Sequence, residues 1–436
     1  MKQSFKVITI FFSSLGISCS NLNTNNIELN SNKFTISSVQ NNSSVFKNIQ
    51  IKKEITKVQP MTGLVLWDDS EFNNTDSIQL EFKYIGYNKI VKGKGIYDWS
   101  YLEKVLNSVK DRKHQSVIRF YDTYVGQKTT VPDYIKALSN YKEKTGLTEG
   151  KKTYFPDWSN KTYQDFILEF MKKFSTKYDN DPRIAYLQVG FGLWGEYHIY
   201  EGPMKLGVTF PSKDYQKNFF NQMSQNFINL KWSISIDSAS PEYGPFEVYK
   251  TLLKNDFGLF DDSFLSEEHS QYNELNFNYL GKDRFLKNPI GGELNYYTDY
   301  DQIHALDTNG PHGVSFEQMS NKFHVSYMIG NDQPLYQPIN RIKNAGMSLG
   351  YKFKITSLQT SSSQTLLTVK NTGIAPIYYN AYFSINNIKS TESLKYLAPN
   401  QEKTISINKS LKNTSDLKIV SDKLVSGQTI DFEANL

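Results

Sequence analysis

The sequence predicts an α/β fold: a (β/α)8 TIM barrel followed by a small all-β, immunoglobulin-like sandwich. Three observations carry this. From about residue 60 to 345, short apolar runs of strand character alternate with amphipathic stretches of helical period. Eight such runs within about 285 residues match the size of this barrel. After about residue 348 the period switches to two, with turn residues between short runs.

The first strand is read at Gly63–Trp67 and the second at Leu80–Ile85. Asp98 then stands as N-cap to a helix over Trp99–Lys113, with Leu102, Val105, Leu106 and Val109 on one face. Val117–Tyr121 is the third strand. A long loop follows, holding Val131–Tyr134 and Tyr154–Trp158, and its aromatic residues suggest a functional loop. A helix over 161–178 places Phe166, Ile167, Phe170 and Phe174 at helical spacing. Strands four to eight are read at Ile184–Gly190, Trp232–Ile236, Phe257–Phe260, Pro289–Gly292 and Phe323–Ile329. An open doubly wound sheet would need a glycine-rich nucleotide loop after its first strand, and the sequence has none there.

In the C-terminal region Tyr351, Phe353 and Ile355 alternate with polar residues, as do Leu367 and Val369. Asn371-Thr372-Gly373 interrupts, then Ile377 to Ile385 and Thr404–Ile407 follow. Short strands so spaced suggest a sandwich, expected to pack against the barrel, with a carbohydrate-binding module as the other reading. The domain boundaries expected are a signal peptide over 1–18, a tether over 19–58, the barrel over 59–346 and the sandwich over 347–436.

Composition narrows the class. A hydrophobic fraction of 39% and a charged fraction of 21% fit a globular protein. The net charge of +5 is small for 436 residues, and no basic run is interleaved with aromatics, so nucleic acid is not expected as a partner. The lone cysteine excludes an internal disulfide.

That cysteine is Cys19. Lys2 and Lys6 precede the apolar run Val7–Phe12, and Leu15-Gly16-Ile17-Ser18 leads into Cys19. The apolar stretch is too short to span a bilayer. The pattern resembles a bacterial lipoprotein signal, which implies cleavage before Cys19 and a lipid on its thiol. It departs from that pattern in having Gly16, not Leu, three residues before the cysteine. The resemblance implies an exported cell-envelope protein that meets the membrane only through this lipid. Residues 20 to about 57, rich in Asn, Ser and Thr, read as a flexible spacer.

Acids recur where the barrel strands end: Asp68 and Asp69 after strand one, Asp122 after strand three, Glu196 after four, Asp237 after five, Asp261 and Asp262 after six, and Glu293 after seven. In a barrel these ends share one mouth. Two segments stand out. Phe191-Gly192-Leu193-Trp194-Gly195-Glu196-Tyr197-His198 sets a carboxyl among aromatics, where partial desolvation would raise its pKa towards that of a general acid. Pro289-Ile290-Gly291-Gly292-Glu293-Leu294-Asn295-Tyr296 repeats the theme. Two carboxyl groups suffice for glycosidic bond cleavage, without a metal or cofactor. Glu196 and Glu293 are therefore the expected catalytic pair.

The chain here resembles the superfamily of barrel glycosidases, in which an acid/base Glu follows strand four and a nucleophile Glu follows strand seven. That resemblance implies those roles for Glu196 and Glu293. More closely, Pro60-Met61-Thr62-Gly63, the run from Gln188-Val189-Gly190 to His198, and Gly292-Glu293 resemble an uncharacterised family of exported bacterial proteins pairing such a barrel with a C-terminal β domain. One departure is that the superfamily places Asn directly before the strand-four Glu, whereas this chain has Gly195.

Around that pair, Trp67 and Trp194 offer flat faces for sugar, and Asp68 and Asp262 lie in the ring of acids. Arg119 is a candidate clamp for hydroxyls or a carboxylate. Tyr121, Asp122 and Asp237 are candidates for the sugar-binding floor. Tyr296 is a candidate to orient Glu293, and His198 to bond Glu196 or substrate. No metal is expected: Glu196-His198-Glu201 and Glu267-Glu268-His269 match no known ligand spacing. The thiol is spent at Cys19 and no Gly-x-Ser-x-Gly signature is present, which leaves out thiolate and Ser/His/Asp hydrolysis. The expected function is a glycoside hydrolase on extracytoplasmic poly- or oligosaccharide. The alternatives are a non-catalytic surface glycan-binding lipoprotein on a degenerate barrel and an adhesion protein using the 131–158 loop.

Overall fold

A computed structural model describes residues 45–436. The expectations for a signal peptide over 1–18 and for lipidation at Cys19 lie outside the described residues.

Eight parallel strands close into a barrel in chain order: β1 Gly63–Trp67, β2 Leu80–Gly86, β3 Gln115–Tyr121, β4 Ile184–Val189, β5 Trp232–Ser235, β6 Gly258–Phe264, β7 Ile290–Leu294 and β8 Tyr327–Ile329, with β8 bonded back to β1. The flanking α-helices are α1 Ser100–Asp111, α2 Lys161–Tyr178, α3 Lys213–Asn226, α4 Ser270–Gly281, α5 Phe316–Phe323 and α6 Ile339–Ser348. The alternation of helix and strand is incomplete: a loop joins β1 to β2, and only 3₁₀ turns, at Ile236–Ala239 and Lys250–Lys254, lie between β5 and β6.

The period-two pattern of each strand sorts its side chains. On β1, Leu64 and Leu66 face the surrounding helices, while Val65 and Trp67 belong to the inner cluster. On β2, Leu80, Phe82 and Tyr84 join that inner cluster, and on β3 Val117 does so while Ile118 and Phe120 pack outward. Phe120 is caught between Phe170 and Phe174 of α2, with centroids at 4.8 and 5.1 Å, which is why that helix carries Phe every fourth residue.

The inner cluster does not end at the barrel floor. Val65, Phe82, Tyr186 and Tyr327 pack in one continuous core with Tyr351, Phe353, Tyr378 and Tyr379 of the C-terminal domain. Buried tyrosine hydroxyls stitch the join: Tyr351 donates to Pro60 O (3.0 Å), Tyr186 to Met61 O (2.9 Å), and Tyr379 to Ala185 O while accepting from Lys231 N at 3.2 Å. The domain thus caps the N-terminal ends of the strands, and the C-terminal ends stay open.

That domain has two sheets. The larger holds β9 Phe353–Thr360, β10 Thr365–Asn371, β12 Glu402–Ile407 and β14 Phe432–Asn435; the smaller holds β11 Tyr382–Ile385 and β13 Leu417–Val420 with Ile388–Lys389. Lys47–Asn48 pairs with β9 and Lys52–Lys53 with β14.

Three expectations need correction. The tether does not extend to residue 58: residues 47–53 lend two short strands to the sandwich, and Ile51 is buried in its core. The eighth strand does not begin at Phe323, because α5 runs through that residue and His324 caps it in the left-handed conformation, φ 56° and ψ 46°. The 131–158 loop is mostly structural. It holds a helical turn, Asp133–Lys136, and a hairpin of Lys144–Thr148 with Lys151–Phe155, and it buries Phe155 and Trp158 fully.

Candidate active site

β2, β3 and β4 bring one row of polar side chains across the barrel. Tyr84 is in register with Arg119, and Arg119 with Gln188. Arg119 is wholly buried. Its Nε donates to Gln188 Oε1 at 2.9 Å, and its Nη1 donates to the Tyr84 hydroxyl at 2.8 Å and to Glu196 Oε1. Tyr84 in turn donates to Glu196 Oε1 at 3.1 Å. The guanidinium lies 4.5 Å from the Phe260 ring centroid. Burial opposes its charge, but Tyr84, Glu196 and Glu293 hold its pKa above the ordinary value.

Glu196 reaches this row from a tight loop after β4. Four of six residues there have left-handed φ: Gly192 at 81°, Trp194 at 53°, Gly195 at 74° and Tyr197 at 74°. Non-glycine residues with such φ are held only where their surroundings over-determine them, and they concentrate at functional sites. Here Trp194 N donates to Thr123 O, Glu196 N to Leu193 O and Tyr197 N to Phe191 O, all within 3.0 Å. A Cβ at Gly192 would come within 2.3 Å of His198 O, so only glycine lets the loop close.

Glu293 lies within β7, in register with Ile329. It is 8% exposed, and its carboxyl makes no hydrogen bond within the described residues. Burial, then Glu196 and Asp332, push its pKa up to about 8, against the pull of Arg119. The burial-raised acid is therefore Glu293. Glu196, the residue expected to have that character, shares its oxygen with a guanidinium and a phenol.

The two acids face a cleft of about 310 Å³ at the open end of the barrel. Its walls are Trp67, Tyr84, Tyr124, Trp194, Tyr200, Tyr296 and Tyr297, and its polar lining is Glu149, Glu196, His198, Asp262 and Glu293. Trp194 and Tyr200 stack 6.2 Å apart at 19°. Flat faces of this kind suit the apolar face of a pyranose. On the far wall His198 Nδ1 meets Asp237 Oδ2 at 2.8 Å and Asp262 Oδ2 at 3.7 Å, while its Nε2 is buried with no partner. Burial, then Asp237 and Glu196, hold the Asp262 carboxyl well above its usual range.

Of the residues expected from sequence, Trp67, Trp194, Glu196, His198, Asp262, Glu293 and Tyr296 line the cleft, and Arg119 underlies it. Four do not line it. Asp68 turns to Lys83, at 2.7 Å. Asp122 is buried under the Tyr163 and Thr123 hydroxyls, at 2.5 and 2.8 Å. Tyr121 packs edge-on to Tyr84 and Tyr124. Asp237 acts on His198. Tyr296 makes no hydrogen bond to Glu293; the tyrosine that contacts a catalytic candidate is Tyr84. Asp261 of the acid ring is turned into the wall, where Asn273 and Ser263 satisfy it. Sequence reading missed Tyr84, Tyr124, Glu149, Tyr200 and Tyr297. Only Tyr84 had a signal, its place on the inward face of β2.

No family model matches the chain, and no curated protein matches it. Solved structures do resemble it. Endo-glycoceramidase II from Rhodococcus sp. matches at 8% identity and TM-score 0.40, over 83% of this chain and 100% of that one. An alpha-galactosidase from Geobacillus stearothermophilus matches at 10% and 0.35, over 80% of this chain and 55% of that one. The catalytic domain of beta-amylase from Paenibacillus polymyxa matches at 12% and 0.37, over 63% and 92%. These neighbours are glycoside hydrolases, all with scores below 0.5, and the chemistry proposed below rests on this chain's own side chains.

Proposed function

We propose that the protein is a glycoside hydrolase acting outside the cytoplasm on a poly- or oligosaccharide. The observation that carries this is the pairing of two unlike carboxyl groups in one aromatic cleft. Glu196 is tied to a buried cation, and Glu293 is buried without one. Environments that push two carboxyls apart assign the acid and the base.

Glu293, protonated at neutral pH, donates its proton to the glycosidic oxygen. Glu196, bonded through Oε1 to Arg119 and Tyr84, presents its other oxygen to the anomeric carbon or to a water beside it. These roles reverse those that the resemblance to barrel glycosidases implies. Extracytoplasmic action is supported by the lipoprotein-like N-terminal sequence alone.

A second reading, a surface glycan-binding protein without turnover, is favoured by Gly195 standing where the barrel glycosidases place Asn. One experiment separates the two. Purified protein is incubated with a panel of aryl glycosides and polysaccharides, and released reducing ends are counted. Hydrolysis that falls roughly 10²–10⁴-fold in Glu196→Gln and in Glu293→Gln supports the enzyme. Binding with no released ends, unchanged in both variants, supports the second reading. Turnover untouched by either substitution refutes the assignment of the pair.

A further inference from the structure

We propose that Glu196, His198 and Asp262 form a binding site for one divalent first-row cation, such as Zn²⁺ or Mn²⁺, on the wall of the cleft. Metal binding is read without substrate, so the proposal stands or falls separately from the hydrolase reading.

The geometry comes first. One ring nitrogen of His198 and one carboxylate oxygen each from Glu196 and Asp262 lie within 4.8 Å of one another. Ligand atoms about 2.1 Å from a tetrahedral ion stand roughly 3.4 Å apart, so modest side-chain rotations close the set.

The histidine is prepared for the task. Its Nδ1–H donates to Asp237 Oδ2, which leaves the ring's lone pair on Nε2. That atom is buried and meets no donor. A buried polar atom without a partner carries an uncompensated desolvation cost and calls for an explanation. A carboxylate behind the opposite ring nitrogen is what fixes metal-ligating histidines, by setting the tautomer and raising ligand basicity.

Charge balance points the same way. Glu196, Asp237 and Asp262 converge with one buried cation among the described residues, Arg119, which is committed to Glu196 and Gln188. The Asp262 carboxyl accepts no hydrogen bond among the described residues and lies 3.7 Å from His198 Nδ1. Glu196 has only Oε1 on Arg119 and Tyr84, so in the substrate-free protein its second oxygen is available, and a bound cation competes for it with the reacting sugar or water. One nitrogen and two carboxylate oxygens suit Zn²⁺ or Mn²⁺, with remaining positions open to water or a sugar hydroxyl. The three ligands come from a left-handed loop and from β6, and this is why no sequence spacing announced them.

The test uses the full chain, stripped with EDTA, dialysed and titrated calorimetrically with ZnCl₂ and with MnCl₂. The expected result is one equivalent per chain for at least one of the ions, with affinity reduced at least tenfold in His198→Ala and in Asp262→Asn. Asp237→Asn is expected to weaken binding roughly 10–100-fold through the ring it orients. Glu267→Gln, in the separate group with His312 and Asp301, leaves binding unchanged. As a second readout independent of variant folding, Co²⁺ added to the stripped wild-type chain gives visible d–d absorption that added Zn²⁺ abolishes. Less than a tenth of an equivalent bound at saturating ZnCl₂ and at saturating MnCl₂ overturns the proposal. So does full-affinity binding in both His198→Ala and Asp262→Asn.

Discussion

Replacing Glu293 by Gln should make the protein more stable as it makes it inactive, and the gain should depend on pH. A carboxyl whose folded-state pKa lies above its unfolded value holds its proton in the fold and loses it on unfolding. Between the two values the folded state binds more protons, so stability falls as pH rises. With an unfolded value near 4.5 and a folded value of about 8, the fold is disfavoured by about 3 kcal/mol at pH 7 and by roughly 4 at pH 8, and by little at pH 4. Glu293→Gln keeps the shape and removes this penalty. At roughly 1–2 °C per kcal/mol for a chain of this length, the variant should melt a few degrees above wild type at pH 8, and the two should converge near pH 4. The assay is differential scanning fluorimetry across pH 4–9 in chelator-treated buffer. A difference that is flat with pH, or a variant that melts lower at pH 8, refutes the assignment of a retained proton to Glu293. In parallel, turnover by wild type should decline as pH passes through about 8, where the acid is lost.

Arg119→Met leaves Glu196 buried without its cation and should cost about 3–5 kcal/mol in urea unfolding, part of which the double variant Arg119→Met/Glu196→Gln recovers. Gly292→Ala sets a Cβ 2.3 Å from the Asp261 carbonyl oxygen, next to Glu293 in β7. It should abolish turnover and lower the melting temperature far more than Gly95→Ala, whose Cβ meets open space and whose cost is only the roughly 1–2 kcal/mol of a left-handed φ. Tyr379→Phe strips the hydroxyl that joins Lys231 N to Ala185 O, and about 1–3 kcal/mol should be lost, read as a lower melting temperature with barrel and C-terminal signals still melting together.

How far the sequence could be read depended on which physical signal each part carries. Barrel strands buried on both faces write themselves as apolar runs, and β1, β4, β5 and β7 fell within a residue or two of their readings. α2 was legible for the same reason, since its phenylalanines recur on one face. β8 was not, because Phe323 at the helix end and Val325 after it alternate with polar residues and run straight into the three-residue strand, so helix end, connection and strand read as one strand-like stretch. Among the site residues, proximity to a strand end said less than parity along the strand. Val117 and Arg119 turn inward while Ile118 and Phe120 pack outward, and Asp122 ends in the hydroxyl cluster around Tyr163, away from the cleft. The same parity would have found Tyr84, two positions beyond Phe82. No local pattern could show that Asp262 stands beside His198, because that contact is made by closure of the sheet. The electrostatic inversion of Glu196 and Glu293 was equally out of reach, since it depends on which of them Arg119 touches.

The short strands at Lys47–Asn48 and Lys52–Lys53 carry a directional consequence. They hold the polypeptide on the C-terminal domain that plugs the rear of the barrel, while the aperture with its tyrosine rim opens at the front. Residues 45–53 therefore lie on the back of the molecule. The mouth at the front is left clear of that segment.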